Sequence, residues 1–198
     1  MKIMEEELVN LCQSGNLDKI KKFLKKNPNV DIHYNDEYIF QTACGNGDLE
    51  VVKWLINTFN NIDYHADDEL AFRWTCENGH LEIAKLLIDT FNDIKYNVFD
   101  NLVFRYACGD GNLEVVEWLI ETFNDINYHV FKEEAFRSAC KNGHLGVAFF
   151  LKKKFPDIDH HINNDYCYRY TTNPEILDWL NRECQFPNTT KSARKKID

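Results

Sequence analysis

Glycine recurs at positions 15, 47, 79, 111 and 143, and each is followed two residues later by leucine, at 17, 49, 81, 113 and 145. The step is 32 residues every time. A fixed period of this size means that one supersecondary unit has been copied, and such a unit cannot bury its own apolar face without a neighbour. The chain therefore reads as six repeats, 1–35, 36–67, 68–99, 100–131, 132–163 and 164–186, forming one domain, with 187–198 as a basic polar tail. Five of the seven cysteines keep the same step, at 12, 44, 76, 108 and 140. Cysteine content is thus a consequence of repetition.

Within a repeat, Asp68-Glu69-Leu70-Ala71-Phe72-Arg73-Trp74-Thr75-Cys76 predicts a short helix with Asp68 as its side-chain cap, and Asp36, Asp100 and Asn164 as counterparts. Lys132 breaks that series. Glu77-Asn78-Gly79-His80 supplies a turn, after which Leu81, Ala84, Leu87 and Ile88 fall at helical spacing. That is a second helix, and the fold class is all-α. An extended connection follows, and Val30, Ile62, Ile94, Ile126 and Ile158 are placed to anchor it. The last repeat loses three residues from its turn and puts Pro174 where Leu81 would stand, which marks 164–186 as a modified cap.

The run Ala-Cys-x-x-Gly-x-Leu-Glu-Val-Val-x-Trp-Leu at 43–55 and 107–119 resembles the ankyrin repeat. The resemblance implies a solenoid of stacked helix-turn-helix units, with loops projecting as fingers and a concave face that binds proteins. Two departures stand out: the period is 32, one below the family's usual value, and the Thr-Pro-Leu-His helix start is replaced, for example by Leu70-Ala71-Phe72-Arg73. The Phe-Arg start, the cysteine ladder and the Phe-Asn-Asp-Ile connections are similar to the divergent ankyrin proteins encoded by giant DNA viruses.

Net charge is −9, yet residues 32–131 hold 18 Asp or Glu against 5 Lys or Arg, or −13. A phosphate backbone is repelled by that middle section, so nucleic acid is excluded as a partner and a cationic protein surface is favoured. No apolar run suits a membrane span, and Met1-Lys2-Ile3-Met4-Glu5-Glu6-Glu7 places acids where an export signal needs an apolar stretch. The expectation is a cytoplasmic or nuclear monomer with free thiols.

No zinc spacing, phosphate loop or nucleophile elbow occurs, so neither catalysis nor a cofactor or metal is expected. Equivalent positions in stacked helices lie about 8–10 Å apart, too far for cysteines or for His33, His65, His129 and His161 to share an ion. Cys76-x-x-x-His80 lacks an oxyanion donor, and the loop histidines are assigned to turn hydrogen bonds. Arg73, Arg105, Arg137 and Arg169 form a ladder that either grips a partner's carboxylates or binds the adjacent loop or an acid such as Asp63, Asp93 or Asp125. Trp74 and Tyr106 lie beside those arginines, as core or as concave surface, while Trp54, Trp118 and Trp179 are assigned to packing.

The loop tips differ from one another. Val98-Phe99 and Val130-Phe131 stand where neighbouring repeats have Ala66-Asp67 and Ile162-Asn163, with Tyr96 and Tyr128 beside them. They are candidates for a joint apolar patch, or for staples that pack Phe99 on Phe104 and Phe131 on Phe136. The expected function is a non-catalytic module that binds an unknown protein through Tyr96, Val98, Phe99, Tyr128, Val130, Phe131, Trp74, Tyr106, Arg73, Arg105 and Arg137. A structural component that self-associates is the alternative reading.

Overall fold

The computed structural model describes residues 2–183, so the tail 187–198 lies outside it. Among the described residues there are twelve helices and no strand. They run in pairs: α1 (Lys2–Gln13) and α2 (Leu17–Lys26), α3 (Tyr34–Asn46) and α4 (Leu49–Thr58), α5 (Ala66–Glu77) and α6 (Leu81–Thr90). The series continues with α7 (Val98–Gly109) and α8 (Leu113–Thr122), α9 (Val130–Asn142) and α10 (Leu145–Lys154), α11 (Ile162–Tyr170) and α12 (Pro174–Glu183). Among the described residues two compact units are present, one of residues 2–107 with Asn112–Asn127, the other of Cys108–Gly111 with residues 128–183.

The core repeats as the sequence does. Phe40, Phe72, Phe104 and Phe136 are fully buried on the first helix of successive pairs, and Leu55, Leu87, Leu119 and Leu151 are buried on the second. In the first compact unit α3 packs between α1 and α5, and in the second α9 packs against α10 and α11. Gly47 and Gly143 end α3 and α9 at φ 82° and 86°, a left-handed stop that residues with a Cβ adopt at a cost. Asn173 caps α12, accepting from the Glu175 amide at 2.9 Å, with Pro174 in the first helical position where its missing N–H is harmless. The shortened turn of the last repeat is therefore closed by its own cap.

The first helices do not begin as the sequence suggests. Three consecutive residues opening α3, α5, α7, α9 and α11 are left-handed, with φ between 48° and 66°, and Asp36, Asp68, Asp100, Lys132 and Asn164 are the middle ones. A side-chain cap needs an extended residue ahead of a right-handed turn, which this geometry does not offer. The turn is closed by backbone instead: the third residue's amide donates to a carbonyl four residues back, as Glu69 does to His65 at 3.2 Å and Asp165 to His161 at 2.9 Å. Asn and Asp tolerate the left-handed region best, which explains their frequency here.

Candidate functional site

Three successive connections are each fastened to the next by an aromatic stack and a hydroxyl. Tyr64 lies on Phe91 with ring centres 3.9 Å apart and donates to Asp93 Oδ1 at 2.8 Å. Tyr96 repeats this on Phe123 at 3.6 Å and donates to Asp125. In the second compact unit Tyr128 lies on Phe155 at 3.8 Å and donates to Asp157 Oδ2 at 3.0 Å. The hydrogen bond lowers the Asp93 and Asp157 pKa, since it favours the ionised carboxylate. Tyr96 and Tyr128 are thus half-buried fasteners whose hydroxyls are already used within the fold.

A second ladder sits beneath these tyrosines. Glu5, Glu37, Glu69 and Glu133 are all buried and stand 32 residues apart, apart from the position taken by Asn101. Glu37 Oε1 meets His33 Nδ1 at 2.6 Å and accepts from the Asp63 amide at 3.1 Å, joining one connection to the next. Glu69 does the same with His65 Nδ1 at 2.5 Å and the Lys95 amide at 3.2 Å, and Glu133 meets His129 Nδ1 at 2.6 Å. The loop histidines are hydrogen-bonded as expected, but to carboxylates, buried for His33, His65 and His129 and part-exposed for His161, whose partner is Asp165. His65 and His129 also reach forward to Asp93 at 3.3 Å and Asp157 at 3.1 Å.

This arrangement sets a pH dependence. The hydrogen bonds that the rings make to Glu69 and Glu133 raise the His65 and His129 pKa above the ordinary 6.5. The folded chain then holds these protons more tightly than the unfolded chain, so their stabilisation is whole below about pH 6.5 and is lost as pH rises through the raised values. Chemical denaturation of the wild type and of a His65→Asn/His129→Asn variant should show a stability gap that is wider at pH 6 than at pH 8.5. A gap that widens with rising pH would contradict the assignment.

The arginines hold their own connections. Arg73 donates to the Asp67 carbonyl at 2.7 Å, Arg105 to those of Phe99 at 3.0 Å and Asp100 at 3.2 Å, and Arg137 to those of Phe131 at 2.8 Å and Lys132 at 2.6 Å. Arg169 donates to the Asn163 carbonyl at 3.1 Å. In these bonds the acceptors are loop carbonyls: left-handed residues turn them toward the guanidinium, and the planar fork takes them. The outer guanidinium faces cover rings of the following repeat, Arg73 over Phe99 at 5.5 Å and Arg137 over Tyr166 at 4.7 Å.

Phe99 and Phe131 end up 54% and 55% exposed, and each is the first left-handed residue of its helix start, at φ 48°. A staple on Phe104 or Phe136 leaves more than half of each ring in water. Val98 and Val130, the first residues of α7 and α9, are half-buried. One tip belongs to each compact unit. Tyr106 is 44% exposed, and Trp74 is half-buried against α3, with its ring edge-on to Tyr38 at 6.2 Å. A depression of about 340 Å³ opens there, lined by Gln13, Tyr38, Thr42, Gly45, Trp74 and Glu77 among others. Trp179 is buried, while Trp54 and Trp118 pack edge-on to Phe59 and Phe123.

Six cysteines are buried as free thiols, and burial pushes Cys12 up to about 12 and Cys108 well above its ordinary value. Such thiols are poor nucleophiles. The Cys76 and His80 pair dissolves for a further reason: His80 Nε2 reaches back 3.0 Å to the Gly45 carbonyl of the preceding repeat. Asn112, Asn142 and Asn173 make the same backward contact, to Glu77, Gly109 and Gly143. Among the described residues no group of three His, Cys, Asp or Glu is placed to hold a metal, and no helix is long and apolar enough to cross a membrane.

Two family models match the sequence, one described as ankyrin repeats (3 copies) over residues 8–100, the other as ankyrin repeats (many copies) over residues 104–151. Together they span more than two thirds of the chain. No curated protein matches it.

Proposed function

The chain belongs to the ankyrin repeat family, whose members generally mediate protein–protein interaction, and from that premise we propose that it holds a partner protein through the tips at Phe99 and Phe131 and the first-helix face carrying Trp74 and Tyr106. One observation carries the reading. The left-handed position filled by Asn35, Asp67 and Asn163 in three repeats holds phenylalanine in the other two. A bulky residue there is strained, and neither ring recovers the cost by full burial. Exposed rings on connections pinned by Tyr96–Phe123 and Tyr128–Phe155 stacks bind with little loss of freedom, the condition for a binding hot spot.

The Phe-Arg helix starts and Phe-Asn-Asp-Ile connections support a viral setting, with a host protein in the cytoplasm as partner. The module acts without catalysis and as a monomer. Phe99→Asn with Phe131→Asn restores the residue type of the other repeats, so the melting temperature should hold or rise. Partner capture from cell extract, followed by mass spectrometry, should fall at least about tenfold, the loss of one hot-spot residue or more. A lower melt with capture per folded molecule unchanged would return both rings to a structural role.

A further inference from the structure

Resting on the protein-binding reading above, we propose that the depression among α1, α3 and α5 takes an arginine side chain from an extended basic segment of the partner.

The charge of the lining sets the sign of the occupant. A second depression, of about 380 Å³, adjoins the first through Tyr38 and is lined by Glu6, Val9, Asn10, Tyr34, Asn35 and Tyr38. Neither lining contains Lys, Arg or His, whereas Glu77 stands in one and Glu6 in the other. The surrounding sequence is acidic as well, at −13 over residues 32–131. A cationic side chain is drawn in, and an acidic one is repelled.

The walls narrow the choice further. Tyr38 and Trp74 present rings 6.2 Å apart with an interplanar angle of 73°, and an electron-rich ring face attracts a cation. Thr42 is 5% exposed, and its Oγ1 is buried without a hydrogen-bond partner. Thr75, one position past its equivalent on the next first helix, is also buried but donates to the Ala71 carbonyl at 2.7 Å and is satisfied. A buried hydroxyl left unpaired is costly, so a ligand donor that reaches it gains what the free protein forgoes. Guanidinium meets all three demands at once: positive charge, a flat face for the ring and several N–H donors in fixed directions. An ammonium group meets only the first and part of the third.

The space depends on a small residue at position 42. The equivalent positions hold Trp74, Tyr106, Ser138 and Tyr170, and a ring as large as three of these would fill the depression. Gly45 lets the indole lie against α3, since an added Cβ would come within 3.2 Å of Trp74 Cβ and Cε3. The opening is made by small residues on one helix facing a large one on the next.

The test uses the full chain and a fluorescein-labelled Gly-Arg-Gly-Arg-Gly-Arg-Gly peptide, followed by anisotropy at fixed ionic strength. Binding should weaken about tenfold or more when citrulline replaces arginine, because the shape is kept and the charge is lost. Thr42→Val should weaken it about fivefold while the melting temperature is kept or raised, since the variant removes an unpaired hydroxyl. Glu77→Gln should weaken it about tenfold. Absence of binding, equal binding of the citrulline peptide, or binding indifferent to both Thr42→Val and Glu77→Gln would each overturn the proposal. A photo-crosslinking residue at the exposed rim position Asn46, and separately at Phe131, separates this from the parent reading. A protein crosslinked from 131 but not from 46 removes the arginine site and keeps the module. None from either position removes both.

Discussion

Gly47→Ala should lower the unfolding free energy by about 2–4 kcal/mol, seen as a lower urea midpoint with unchanged slope. Gly47 ends α3 at φ 82°, where a residue with a Cβ costs about 1–2 kcal/mol. The added methyl would also fall 2.5 Å from His80 Cε1 and 2.6 Å from Nδ1. The ring cannot swing aside freely, because Nε2 is held 3.0 Å from the Gly45 carbonyl and that contact binds one repeat to the next. Relief of the clash therefore breaks an inter-repeat hydrogen bond, worth about 1 kcal/mol more. Gly109→Ala is the internal control: its Cβ would meet only Ser138 Cβ at 3.5 Å, an ordinary contact, and its φ is not left-handed. That variant should stay within about 1 kcal/mol of the wild type. Equal losses at 47 and 109 would show that the turn geometry is not what selects the glycine.

The positions Gly47 and Gly109 also show how legibility divides. A step of 32 marks Gly47 as a turn residue directly, because the left-handed demand is local and glycine meets it. The paired helices, the cysteine core and the shortened last turn were readable for the same reason: each is written in residues a few positions apart. What connects repeats was less readable. The arginines gave their spacing but not their acceptors, since carbonyls of left-handed residues carry no side-chain signature. Asp68 looked like a cap because acid before an apolar run usually is one, yet its backbone is left-handed. The glutamate ladder was visible in principle, because Glu5, Glu37, Glu69 and Glu133 keep the step. It was missed because Asn101 and Asp165 interrupt it and because glutamate is seldom expected inside. The tips at Phe99 and Phe131 stood out as departures from the repeat, whereas the depression beside Thr42 depends on which side chain faces which across α3 and α5, and no spacing states that.

Asn97 and Asn101 offer the sharpest test of how connections are held. Every other repeat with a histidine four residues before the third left-handed position has an acid there: His33 with Glu37, His65 with Glu69, His129 with Glu133 and His161 with Asp165. The fourth repeat changes both members at once, to Asn97 and Asn101. Glu69→Ala should cost about 2–4 kcal/mol, since it strands the Lys95 amide and the His65 ring nitrogen together. The loss should fall short of that for a fully satisfied buried pair, because Glu69 Oε2 is itself buried without a partner. Glu69→Asn alone removes the carboxylate while keeping a histidine fitted to it, and should cost about 2 kcal/mol. His65→Asn with Glu69→Asn copies the fourth repeat, so the double variant should be more stable than the sum of the two single losses by about 1 kcal/mol or more. Additive losses would mean that histidine and glutamate act separately and that Asn97 and Asn101 changed together by chance. Coupling of the expected size would make the pair one element, a clasp between successive connections, and would explain how a strained phenylalanine is carried at the tip of the one connection that lacks the charged version.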